Sequence, residues 1–84
     1  MEQLVIAICD DLPEERKKLV SLLEHSSIPA VYSQFESSEK LLEVFRPGKF
    51  DLLLMDIYMD GMTGVEAVQK IREMDEAIPI AFTT

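Results

Sequence analysis

Three carboxylates and a pair of hydroxyls stand where apolar runs of this sequence stop. Asp10 and Asp11 follow Leu4-Val5-Ile6-Ala7-Ile8-Cys9, and Asp56 follows Leu52-Leu53-Leu54-Met55. Thr83 and Thr84 follow Ile78-Pro79-Ile80-Ala81-Phe82. Apolar runs without alternation are typical of strands in parallel sheets, and open α/β sheets bind ligands at the carboxyl ends of such strands. Brought together there, Asp10, Asp11 and Asp56 repel. Two carboxylates about 5 Å apart oppose each other by roughly 3 kcal/mol at an effective dielectric near 20. A proton or a cation must then occupy the site. Oxygen ligands without His or Cys suit Mg²⁺, which takes one or two carboxylates, keeps several waters and favours a phosphate. Such a pocket suits phosphoryl transfer to one carboxylate, in which the metal would neutralise developing charge and a strand-end hydroxyl could bind a phosphoryl oxygen. Taken singly, Asp10-Asp11 also reads as a helix-capping pair and Asp56 as the start of a turn. Their joint placement at two strand ends favours a site.

The elements that must position these groups alternate. After the first strand, Pro13 suits a first helical turn, with Glu14 and Glu15 favoured by the helix dipole. Leu12, Leu19, Leu22 and Leu23 form one face of that helix, and Arg16, Lys17 and Lys18 lie away from it. It fades near His25, read as a cation at a helix C-terminus rather than a catalytic group. Ala30–Glu36 reads as a weaker edge strand. Ser37 or Ser38 caps a short helix with Leu41, Leu42 and Phe45 turned inward, and Pro47-Gly48 breaks it. The strand Asp51–Met55 follows, buried on both faces. Thr63 and Glu66 have the spacing of a capping box for a helix that carries Val65, Val68 and Ile71 inward to about Met74. A fourth strand begins near Ile78. The order β-α-β-α-β-α-β implies a parallel sheet with right-handed crossovers.

Composition narrows the function. Eighty-four residues make at most one domain, and 16 acidic against 8 basic residues give a net charge of −8. A surface of that sign argues against nucleic-acid binding by this segment. The single cysteine, Cys9, forms no internal disulfide, supplies too few ligands for a thiolate zinc site and suits the reducing cytoplasm. No stretch reads as a signal peptide or membrane span. Asp56, Asp60 and Gly61 fit positions 1, 5 and 6 of a calcium loop, but Tyr58 and Ala67 fail positions 3 and 12. The methionines, among them Met55, Met59, Met62 and Met74, read as core filler and loop packing. Cys9, beside the acidic pair, reads as an inert thiol.

Asp10-Asp11, LLLMDIYMDGMTG and PIAFTT, in that order, resemble the receiver domain of two-component response regulators. The resemblance implies a flavodoxin-like α/β fold with strand order 2-1-3-4, incomplete here, since that family's sheet has five strands. It implies that Asp56 is the phospho-acceptor, Asp11 a direct Mg²⁺ ligand, Asp10 a ligand acting through water, and the Tyr58 main-chain carbonyl a further ligand. Thr84 matches the switch hydroxyl and Gly64 the glycine at the start of the third helix. The phosphoryl donor would be a phosphohistidine on a sensor histidine kinase. Asp60, where many receivers have proline, is more like the branch with LytTR-type DNA-binding outputs. On this reading residues 1–84 are the N-terminal portion of a receiver, truncated before the fourth helix, fifth strand, fifth helix and phosphate-contacting lysine. The exposed edge of the fourth strand would then favour self-association. Two other readings remain. One is a magnesium-dependent phosphatase of the haloacid dehalogenase type, which needs an acid where this chain has Tyr58. The other is a fragment competent only for association.

Overall fold

A computed structural model describes residues 3–83. Four strands, β1 (Leu4–Cys9), β2 (Ala30–Phe35), β3 (Leu52–Asp56) and β4 (Ile80–Thr83), alternate with α1 (Pro13–Glu24), α2 (Ser38–Val44) and α3 (Gly64–Met74). The sheet is parallel throughout with order β2-β1-β3-β4, the arrangement expected from the sequence. Register places Ile8 beside Leu54 and Cys9 beside Met55, so β1 and β3 end side by side. At the opposite end Asp51 extends this pairing. Its Oδ2 accepts from the Val5 amide at 2.7 Å, and its own amide donates to the Val5 carbonyl at 2.7 Å.

The two faces of the sheet are covered unequally. Ala7, Cys9, Leu53 and Met55 meet Leu41 of α2, Phe45 at that helix's C-cap, and Ala67 and Ile71 of α3, in the main core. Phe50 joins it, stacked on Phe45 at 6.2 Å and edge-on to Phe35 at 6.0 Å. On the other face α1 lies chiefly over β1 and β2. Ile6 and Ile8 are buried beneath it, whereas Leu52 and Leu54 are only half-buried. The expectation of a β3 buried on both faces therefore fails for want of cover. It holds for β1, where Ile6 through Cys9 are all buried.

Helix termini follow the residues read from the sequence, with local exceptions. Pro13 opens α1, and Asp10 Oδ1 accepts from the Leu12 amide at 2.9 Å just before it. Ser37 caps α2 by accepting from the Lys40 amide at 3.1 Å. Thr63 and Glu66 form the reciprocal capping box of α3. His25 ends α1 with Nδ1 2.6 Å from the Ser21 carbonyl. No residue of α1 is buried, and Leu12 and Leu22 are exposed, because that helix has the sheet on one side only. In α3 the inward places belong to Gly64, Ala67 and Ile71, leaving Val65 exposed. Met74 is also exposed, not packed. Ile78 is buried in the loop before β4, which starts at Ile80, so its burial comes from loop packing and not from strand pairing.

The asymmetry predicts contrasting substitutions. Phe45→Ala, which hollows the main core, is expected to lower unfolding stability by about 3–5 kcal/mol. Leu22→Ala, at a position 71% exposed, should change it by less than about 0.5 kcal/mol. Urea titrations of the two variants check the contrast.

Candidate functional site

Parallel pairing of β1 with β3 delivers Asp10, Asp11 and Asp56 to one edge of the sheet. One carboxylate oxygen from each lies within 4.8 Å of the others. They open on a cleft of about 500 Å³ lined also by Leu12, Glu15, Leu19, Tyr58 and Thr83. Thr83 is the register partner of Asp56, so its hydroxyl-bearing strand end flanks the cluster. Thr84 lies outside the described residues.

No cationic side chain among the described residues forms an ion pair with these carboxylates. Among the described residues the one salt bridge joins Lys18 to Glu15 at 3.4 Å and involves none of the three aspartates. Arg16 comes near, but its Nη1 donates to the main-chain carbonyl of Asp10 at 2.6 Å and its Nε to Gln34 Oε1 at 3.3 Å. It therefore fixes the backbone of the acidic pair and leaves the carboxylates unpaired. Sequence periodicity placed Arg16 simply on the outer side of α1. Its contact arises from the meeting of α1 with β2, which no local pattern signals.

Electrostatics follow from that geometry. Burial, then the Asp56, Asp11 and Glu15 charges, hold the Asp10 carboxyl above the ordinary aspartate range, opposed by the hydrogen bond from the Leu12 amide. Cys9, one residue earlier, is pushed up to about 12, chiefly by burial and only secondarily by the neighbouring aspartates. The expectation of an inert thiol holds, with burial as the larger cause. Cys9 Sγ instead packs 3.8 Å from Met59 Sδ, tying the loop after β3 to the end of β1.

That loop, residues 57–63, borders the cleft through Tyr58. The Tyr58 amide donates to Asp56 Oδ1 at 3.3 Å, and the Gly64 amide to the Ile57 carbonyl at 3.2 Å. A Cβ at Gly64 would overlap the main-chain carbonyl oxygen of Asp56, so the start of α3 can approach β3 this closely only as glycine. Tyr58 projects its ring outward, 79% exposed. Asp60 is exposed on the outer side of the loop. The donor set is three hard carboxylates without neutralising partners, which fits Mg²⁺ and offers nothing to a thiophilic metal.

A profile of the response regulator receiver domain matches residues 6–84. This chain belongs to that family. The receiver is 34% identical over 87 residues to the transcriptional regulatory protein YvrH of Bacillus subtilis, covering 100% of this chain and 35% of YvrH. It is 31% identical over 81 residues to the sensory transduction protein LytT of Oceanobacillus iheyensis, covering 94% of this chain and 33% of LytT. The solved complex of histidine kinase ThkA with response regulator protein TrrA contains a chain on which the receiver superposes with a TM-score of 0.78. That match has 28% identity and covers 95% of this chain and 67% of the other. The receiver thus spans about a third of the length of YvrH and LytT. Receiver domains partner with histidine kinases, are in general non-enzymatic signalling domains, and bind Mg²⁺ at an acidic site. The similarity to LytT agrees with the branch suggested by Asp60. Family membership also answers the phosphatase reading, which needed an acid at the position of Tyr58. No helix among the described residues is long and apolar enough to cross a membrane.

The raised Asp10 carboxyl fixes the sign of a pH effect. The folded receiver holds this proton at pH values where the unfolded chain has lost it. Metal-free stability should therefore fall as pH rises from the ordinary aspartate range through the folded value. At neutral pH Asp10→Asn is expected to raise the melting temperature of the metal-free receiver, because the variant carries no buried charge there. With millimolar Mg²⁺ the ranking should reverse, because the wild type gains linkage stabilisation that the variant loses. Thermal melts with and without Mg²⁺ read both signs.

Proposed function

We propose that Asp56 accepts a phosphoryl group from a phosphohistidine of a sensor histidine kinase. Asp10, Asp11, Asp56 and the main-chain carbonyl of Tyr58 would hold Mg²⁺ for this step. The observation that carries the reading is the uncompensated cluster of three carboxylates at the ends of β1 and β3. Asp56, half-buried like Asp11, ends β3 and lines the cleft. An Asp56 oxygen attacks phosphorus, the P–N bond to the imidazole breaks, and the imidazole leaves with a proton from solvent. The product is an aspartyl phosphate. Bound Mg²⁺ would neutralise charge on the transferred group and lessen repulsion among the carboxylates. By the resemblance to receivers, Asp11 would ligate directly, Asp10 through water, and Thr84 would supply the switch hydroxyl. Phosphorylation would regulate a transcriptional output domain of the LytTR type in the cytoplasm.

Incubation with Mg²⁺ and acetyl phosphate is expected to add one labile phosphoryl group, seen by intact mass, that Asp56→Asn abolishes. A folded sample that gains no adduct overturns the proposal and leaves a module competent for association alone.

A second copy of the chain is the other partner we infer. The outer edge of β4 pairs with no strand among the described residues, and Phe82 is 44% exposed. Open apolar edges recruit further strands. Sedimentation of the 84-residue chain should show a concentration-dependent shift toward dimer, and a monomer across the whole concentration range refutes it.

A further inference from the structure

The loop that carries Tyr58 is held from outside the acidic cluster. Ile57 is tied to α3 through the Gly64 amide, and Met59 is buried against Cys9. Its far limb, Gly61-Met62, is held by α2. There the Glu39 carboxylate accepts from the Met62 amide at 3.2 Å, 23 residues away in sequence. The same oxygen fills the space beside Gly61, where a Cβ would stand only 2.8 Å from it. Gly61 has a φ of +77°, which turns the chain so that the Met62 N–H faces α2.

We propose that Glu39 is a positioning residue of the metal site: through Gly61 and the Met62 amide it fixes the 57–63 loop, and with it the Tyr58 main-chain carbonyl. This rests on the Mg²⁺ reading above. Glu39 is exposed and stands in the first turn of α2, so its carboxylate is also favoured by that helix's dipole. A charge-assisted hydrogen bond to a backbone amide is among the stronger kinds. It restrains a segment whose other backbone ties lie at its two ends. Loss of the contact frees the limb, and a loosened carbonyl ligand binds metal less well. The outer shell of a metal site acts in this way, and its loss typically costs 10–100-fold in affinity at well-buried sites. An exposed contact should give less.

The test measures Mg²⁺ affinity by titration calorimetry and amide exchange of Met62 in the metal-free receiver. Glu39→Ala is expected to weaken Mg²⁺ binding about three- to tenfold and to speed Met62 exchange, with little change in melting temperature. Glu39→Gln, whose carbonyl can still accept from the amide, should stay within about twofold of wild type. Gly61→Ala attacks the same contact from the loop side and should weaken Mg²⁺ binding in the Glu39 background more than in the Glu39→Ala background. Unchanged Mg²⁺ affinity in Glu39→Ala overturns the proposal. So does equal weakening by Glu39→Gln and Glu39→Ala, which marks a long-range charge effect. A wild-type receiver that binds no Mg²⁺ overturns the metal reading together with this one, whereas normal wild-type binding with an indifferent Glu39→Ala removes this one alone.

Discussion

Parallel pairing between β1 and β3 forces like charges together. Ile8 beside Leu54 and Cys9 beside Met55 leave Asp10, Asp11 and Asp56 no choice but proximity. Their repulsion, of the order of a few kcal/mol for a pair at this separation, is borne by the buried strands beneath. Ile8, Cys9, Leu53 and Met55 are each no more than 1% exposed, so apolar burial next to the site holds the acidic edge in place. Residues that carry no charge thus create the electrostatic condition the site works by. A receiver with a looser β1–β3 core would relax the repulsion and lose its demand for a cation.

The second constraint is steric. Gly64 lets the start of α3 press against the Asp56 carbonyl, which brings the two ends of the 57–63 loop together beside the cleft. Three different devices hold that loop: a backbone hydrogen bond at its base, a sulfur contact to Cys9, and the Glu39 carboxylate. Each comes from a different element. The site is therefore assembled jointly by β1, β3, α2 and α3, although its three carboxylates come from the ends of β1 and β3.

Much of this was readable in the sequence because the decisive signals are local. The apolar runs before Asp10 and Asp56 gave the strands, Ser37 and Thr63 with Glu66 gave caps, and alternation of elements gave the parallel sheet. What escaped was non-local. Leu12 and Leu22 look like core residues by spacing, and whether a leucine stripe is covered depends on what lies across from it. Val65 was displaced from the interior by Gly64 and Ala67, whose small size brings α3 close to the sheet. Arg16 reads as a charge on the outer side of α1, and no local pattern singles out Glu39. Their contacts, to the Asp10 carbonyl and the Met62 amide, exist only once helices are docked.

The unequal cover of the sheet bears on how the molecule opens. A helix with no buried residue, against a strand buried on both faces, marks α1 as a weakly coupled cooperative unit and β1 as part of the strongest one. Local unfolding of α1 would release the Arg16 guanidinium from the Asp10 carbonyl and remove Leu12, Glu15 and Leu19 from the cleft wall while β1 and β3 stay paired. The three carboxylates would then face bulk water, where their mutual repulsion is weakest. The acidic edge itself thereby favours the detachment of the helix that covers it, and a neutralising cation would oppose it.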